Sequence, residues 1–213
     1  TIRVYQDHMS FDNYWEVYSD RYARTPAECT KTGAEIEARY QLYETNYLIA
    51  GVMGELQRQR DVQSFANYNP VTGQPVGDPA GLYDWSDTLN WNDDHDRDVW
   101  AVYLENIWDI LDNLRLTIGG RYDHFRDSGD QDQDEWGVFN PRVGFAYEFI
   151  KGYRLKTLYG QAFRAPTFAE QYNTNGAVWN GNPDVEPEKV KTFEISLNGD
   201  FTNHLSAGIT YFH

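Results

Sequence analysis

The sequence predicts an all-β protein, an antiparallel segment of a transmembrane β-barrel built from about nine strands. Apolar residues recur at every second position along most of the chain, the pattern of a strand with one apolar and one polar face. Connections alternate between short and long, which a barrel with tight turns at one rim and extended loops at the other would show. The third observation is compositional. Mean hydropathy is −0.72, yet 16% of the 213 residues are aromatic, with 7 Trp, 16 Tyr and 11 Phe. Disordered chains are poor in aromatics. Membrane barrels combine half-polar strands with aromatic girdles at the two interfaces. A soluble β-rich domain with a sugar-binding face would share this composition, and composition alone favours the commoner soluble class.

Taken in order, strands are expected over about 1–9, 33–44, 47–61, 95–108, 114–127, 135–149, 153–163, 191–201 and 205–213. In the second, Ile36, Ala38, Tyr40 and Leu42 alternate with Glu35, Glu37, Arg39 and Gln41. The fifth sets Leu114, Leu116, Ile118 and Tyr122 against Arg115, Thr117, Arg121 and Asp123. Val143, Phe145, Tyr147 and Phe149 mark one face of the sixth, and Phe193, Ile195 and Leu197 one face of the eighth. Short turns fall at 44–46, 109–113, 150–152 and 202–204, and long connections at 10–32, 62–94, 128–134 and 164–190. Soluble hairpin proteins have little reason to gather every long loop at one end, and several strands exceed the 9–11 residues of a tilted spanning strand. The order of connections therefore tips the reading to a barrel.

Other classes are excluded by what is missing. With 18 basic and 33 acidic residues the net charge is −15, which argues against nucleic acid as a partner because phosphate neutralisation needs clustered Lys and Arg. No run approaches the length of a membrane helix, and no charged-then-apolar start marks a signal peptide. A single cysteine, Cys29, cannot form a disulfide within the chain. His8, His95, His124, His204 and His213 lack zinc-protease spacing, so no metal site is expected. The acidic runs 92–96 and 127–135 read as solvated loops, and the second has Glu135 where an EF-hand loop needs glycine. Without a G-x-S-x-G elbow, and with Glu186 and Glu188 flanking Pro187 in a loop, no catalytic residues and no enzyme are expected.

From Tyr153 onward the chain resembles the barrel of a TonB-dependent outer-membrane receptor. The resemblance is carried by Phe163-Arg164-Ala165-Pro166-Thr167, Gly181-Asn182-Pro183, Pro187-Glu188 and the Lys191-Thr192-Phe193-Glu194 strand. Upstream, 116–123 (LTIGGRYD) and 140–144 (NPRVG) fit the same family in the expected order. It implies a 22-stranded barrel around a plug, importing a scarce nutrient with energy coupled through TonB, in the outer membrane of a Gram-negative bacterium. Residues 1–213 would be part of one such barrel domain, with the plug and the other strands outside this chain. At about 24 residues per strand, a full barrel would need on the order of 520 residues. The implied partners are the TonB complex through that plug, outer-membrane lipid and lipopolysaccharide, and a small-molecule ligand. The implied cargo is a ferric siderophore first, with haem or cobalamin as the other iron-chelate or macrocycle options, and no resident cofactor. A soluble carbohydrate-binding β-protein and a passive outer-membrane channel or adhesin stay open as alternatives.

Candidate site residues sit in the long connections. Pro166 lies where a ladder must stop, since proline cannot donate to a neighbouring strand. Pro183 and Pro187 fix φ and push Asn182 and Glu186 towards extended backbone, so 181–188 reads as a stiffened crossing, and Arg164, Pro166, Asn182, Pro183, Pro187 and Glu188 are taken as one structural motif. Tyr83, Trp85, Trp91, Tyr172 and Trp179 offer broad apolar faces with a polar edge, suited to stacking on a siderophore ring or porphyrin. Arg164 offers a fork of donors for carboxylate or catecholate oxygens. The competing reading of these aromatics is loop packing or a membrane-interface girdle.

Overall fold

The computed structural model describes residues 1–78, 81–128, 135–174 and 180–213. It is a single antiparallel sheet in which every long strand pairs with its sequence neighbours. The long strands are β1 (Ile2–Tyr18), β2 (Arg21–Tyr43), β3 (Asn46–Arg60), β6 (His95–Leu111), β7 (Leu114–Ser128), β8 (Glu135–Ile150), β9 (Tyr153–Arg164), β10 (Glu188–Thr202) and β11 (Leu205–Phe212). Two two-residue strands, β4 (Phe65–Ala66) and β5 (Tyr83–Asp84), and one short helix, α1 (Phe168–Tyr172), lie in the connections. The sheet is open: β1 pairs only with β2, and β11 only with β10.

The register gathers the predicted apolar residues onto one face of the sheet. Ile36 faces Val52, Val52 faces Val102, and Val102 faces Tyr122. Ile118 then faces Val143, Val143 faces Tyr159, Tyr159 faces Phe193 and Ile195 faces Tyr211. Apart from the half-buried Tyr122 these side chains are exposed, from Ile195 at 37% to Tyr211 at 60%, which in water would be a costly apolar patch. On β6 the row runs from Trp100 to Trp108, separated by about 27 Å at a rise of about 3.4 Å per residue. At a strand tilt of about 40° this spans about 21 Å of height, close to the roughly 25 Å lipid-facing apolar band of a barrel with aromatics at its edges.

The opposite face is polar and carries tyrosines laid over glycines. The Tyr5 ring lies where a Cβ on Gly33 would be, and the Tyr103 ring covers Gly51 in the same way. Each hydroxyl then reaches a carboxylate: Tyr5 donates to Glu55 at 2.6 Å, and Tyr103 reaches Glu35 at 2.9 Å and Glu37 at 3.1 Å.

One expected loop is not a loop. Residues 10–32, read as a long connection, are the upper halves of β1 and β2, joined by a tight turn with Asp20 at φ 60°. Here Ser10, Asp12, Asn13 and Glu16 put polar groups on both faces, because beyond the apolar band both faces are solvated or covered by polar loops. Alternation therefore disappears while the ladder continues, from Phe11 facing Ala27 to Glu16 facing Tyr22. The expected strict alternation of short and long connections fails at this hairpin. It holds at 61–94 and 165–187 opposite the short turns. Most of the expected 128–134 connection lies outside the described residues, with Ser128 still in β7. Above Arg60, Asp61 turns the chain at φ 53°, and β4 resumes along the edge of β2 that β3 has left.

Candidate functional site at the outer mouth

At the end of the sheet bearing the long connections, the polar face becomes buried. Thr25, Ala27, Gln59, Arg97, Val99, Ala101, Asp123, Phe125, Asp127 and Val138 are all covered there, whereas their alternates on the apolar side are half-buried or exposed. The cover consists of the described parts of two connections, 61–78 with 81–94 and 165–174 with 180–187, that fold inward over the wall.

Arg97 near the start of β6 holds the second segment. The β6–β7 register sets Arg97 opposite Asp127, and both are almost fully buried, at 3% and 2%. Arg97 Nε donates to Asp127 Oδ1 at 2.5 Å and Nη2 to Oδ2 at 2.6 Å. The rest of the guanidinium reaches into the loop: Nη1 donates to the Pro166 carbonyl at 2.7 Å, and Nη2 to Gln171 Oε1 at 2.6 Å. Tyr172 donates to Asp127 Oδ2 at 3.1 Å. Above and around the cation lie the rings of Phe168 (4.9 Å), Phe125 (5.9 Å) and Trp136 (6.0 Å), the last two stacked on each other at 3.9 Å. A charged pair this deep needs such complete pairing, since desolvation otherwise outweighs its attraction.

Helix α1 forms because Thr167 and Glu170 make a capping box: Glu170 N donates to Thr167 Oγ1, and Thr167 N donates to Glu170 Oε2. Arg164, the last residue of β9, is held between two carboxylates. It donates to Glu170 at 2.8 and 2.9 Å and to Glu188 at 2.9 and 3.0 Å. The Arg164 guanidinium, followed by the Thr167 amide, pulls the Glu170 carboxyl down to about 2. Beyond the helix, Asn182 caps its own turn by accepting from Asp184 N at 3.0 Å, and Asn182 N donates back to Glu170 O at 2.8 Å. Pro183 sits in that turn and Pro187 just before β10, with Glu188 already in the ladder opposite Arg164.

The first segment is built on side-chain-to-backbone bonds. Asn67, 1% exposed, accepts from Tyr22 N and donates to Asp20 O, tying β4 to the β1–β2 turn. Ser64 and Asn90 bond each other at 2.7 Å, and Asn90 donates to Val62 O. Ala23, Ala66 and Tyr68 form a small apolar core with Val17 and Trp85 packed on it. Ser86, by side chain and backbone, lowers the Asp84 carboxyl. The two segments also join each other. Thr174 N donates to Trp91 O at 2.7 Å, and His95 stacks on Tyr172 at 4.3 Å and Phe168 at 5.4 Å.

Of the expected ligand-contact residues, the structure brings Arg164, Tyr172 and Trp91 into this one assembly. Trp85 packs inward, with Nε1 donating to Ala66 O, and Trp91 Nε1 donates to Gln63 O. Tyr83 accepts from Asp78 N and stays 38% exposed. Trp179 lies outside the described residues, as does most of the acidic run 127–135. The other acidic run is not a free acidic loop: Asn92 is buried, Asp93 O accepts from Gln59, and Asp96 pairs with Arg60. Arg97, Asp127 and Gln171 were not foreseen. Only the Thr-x-x-Glu signature at 167–170 could have signalled α1 from the sequence. Among the described residues no group of His, Cys, Asp and Glu is arranged to hold a metal ion.

Comparison with known proteins agrees with this geometry. Residues 2–213 match the family model described as TonB dependent receptor-like, beta-barrel. The iron-regulated outer membrane virulence protein of Vibrio cholerae (classical Ogawa O395) is 32% identical over 120 residues, covering 54% of this chain and 17% of that protein. The vitamin B12 transporter BtuB of Photobacterium profundum is 30% identical over 152 residues, covering 68% of this chain and 22% of the relative. Among solved structures, the ferric citrate transporter FecA in its unliganded form superposes with a TM-score of 0.69 at 17% identity, over 99% of this chain and 31% of that one. The chain thus spans about a fifth of the curated relatives' length.

Proposed function

The chain belongs to the TonB-dependent receptor-like β-barrel family, and from that premise we propose that it forms part of the wall and outer mouth of an active outer-membrane transporter. The cargo is a scarce nutrient carried as an iron chelate of the ferric-siderophore class, and import is energised through TonB. The observation that carries this reading is the two-faced wall: lipid-facing apolar residues on one side, and on the other a polar face whose outer end is roofed by interlocked aromatic-rich loops. A passive channel has no need of such a roof over its polar face. The names of an iron-regulated relative and of a ferric citrate transporter support an iron chelate, whereas the B12 relative favours cobalamin. No catalytic step is assigned.

The test is uptake by cells carrying the complete receptor, with radiolabelled ferric siderophores, ferric citrate and cyanocobalamin supplied separately. Uptake of a ferric chelate that disappears when tonB is deleted is expected. Uptake of cobalamin alone would move the cargo to the second reading, and uptake that persists without TonB would contradict active transport.

A further inference from the structure

We propose that the outer ends of β9 and β10, together with α1, form a flap with two positions: closed over the mouth, as here, and zipped to the edge of β8, which uncovers the polar face. The flap is a property of the wall, and it rests on the transport reading only for what passes beneath it.

The β8–β9 ladder runs outward from Ile150–Tyr153 to Arg142–Gly160 and stops there. Yet β8 continues to Glu135 against β7, and β9 continues to Arg164 against β10. Two neighbouring strands thus run on without pairing each other, and Pro141 sits at the fork. The Phe139 carbonyl points to β9, since it accepts from Gln161 Nε2 at 3.1 Å. Backbone direction alternates along a strand, so Pro141, two residues on, points the same way and has no N–H to offer. The first rung beyond Arg142 therefore lacks its donor, and a glutamine side chain bridges the gap instead. The side-chain oxygen of Asn140, buried beside the fork, has no donor among the described residues.

Beyond the fork β9 leaves the wall and leans inward. Phe163 lies four residues on from the lipid-facing Tyr159, yet its ring meets Phe125 of β7 edge-on at 5.7 Å and Trp136 at 6.5 Å. Arg97 reaches the Pro166 carbonyl from β6, three strands away, a span of about 14 Å in a flat ladder. An inward tilt of the β9 end brings that carbonyl to 2.7 Å. The two positions exclude each other. Continuing the register outward would set Asn140 opposite Ala162 and Phe139 opposite Phe163, which withdraws Pro166 from Arg97 and Phe163 from Trp136. Closing gives up backbone rungs and gains the Arg97 bonds. With one rung already lost to Pro141, the gap between the two positions narrows, as a two-state element requires.

The experiment times disulfide formation in the complete receptor with Cys29→Ser, carrying Asn140→Cys and Ala162→Cys. Zipped, these positions form a non-hydrogen-bonded pair with Cα atoms about 4.5 Å apart, within disulfide reach. Ala146→Cys with Lys156→Cys, a pair of the same kind inside the intact ladder, is the reference in a second receptor. The seam pair is expected to close at least about tenfold more slowly than the reference, the ratio set by a net hydrogen bond or more. Arg97→Gln unfastens the flap and Pro141→Val restores the missing rung. Each should speed the seam pair about tenfold and leave the reference rate unchanged, which also shows that the barrel is intact. A seam pair as fast as the reference without either substitution overturns the fork. A seam pair that stays slow with both substitutions overturns the zipped position. Loss of TonB-dependent uptake with these rates as expected would break the transport reading and leave the flap standing.

Discussion

Arg97 and Arg154 lie on the same face of one sheet and each has an aspartate for a neighbour, yet they do different things. Arg97 is 3% exposed, bonded bidentately to an aspartate 2% exposed, and reaches two further groups on a loop far along the chain. Arg154 is about half exposed, and its nearest approach to Asp200 is 3.6 Å. The first belongs to the outer mouth, where polar groups are buried and every bond has a defined partner. The second belongs to the opposite end of the sheet, beside the short turns at 151–152 and 203–204, where this pair stays hydrated. Burial fixes the geometry of the first pair, whereas water competes with the second.

The comparison breaks most directly at Arg97. Arg97→Gln leaves Asp127 buried without its cation, a change of about 3–5 kcal/mol. In the complete receptor a double-mutant cycle with Asp127→Asn, read by denaturant unfolding of the mouth, should show strong coupling. The equivalent cycle for Arg154 and Asp200 should give at most about 1 kcal/mol, as half-exposed pairs do. Equal coupling at the two sites would erase the distinction.

Gly51→Ala sharpens it from the other side. The added methyl meets the Tyr103 ring, and overpacking of this kind costs about 1–3 kcal/mol. Barrel melting should fall while protease resistance of residues 165–174 is unchanged. A smaller effect is expected from Thr167→Ala, which removes the N-cap of α1 and costs about 1 kcal/mol. It should raise amide exchange at 168–172 without altering barrel melting.

The mildest perturbation is pH. Glu170 is held at about 2, below its ordinary 4.5, so its bond to Arg164 contributes fully above about pH 4.5 and is lost as pH falls towards 2. Exchange at α1 should be constant from pH 7 to 5, after correction for intrinsic rates, and rise below that. A rise already between pH 7 and 6 would point to a different group.

Much of the wall was legible because each strand of the apolar band meets lipid on one side and polar groups on the other, so burial pressure writes a period of two. Leu114–Tyr122 and Phe193–Leu197 show this directly. Where that asymmetry ends, the signal ends: Ser10 to Glu16 continue the β1–β2 ladder with polar residues on both faces and read as a loop. The Arg97 node was hidden for another reason. In sequence it is one charge in the run His95-Asp96-Arg97-Asp98, and its partners at 127, 166 and 171 meet it only through strand register and loop return. The capping box at 167–170 was readable and shows that a local signature can sit inside a connection dominated by Pro and Asn.

The central claim is that the two long loops form one layer, fastened to the wall through Arg97. Hydrogen exchange of the complete receptor carrying Arg97→Gln tests it. Amides of 168–174 and of 85–93 should lose protection together, through the Thr174–Trp91 bond and the His95–Tyr172 stack, while strand amides of β7 and β10 keep theirs. Release of 168–174 alone, with 85–93 unchanged, would contradict the account.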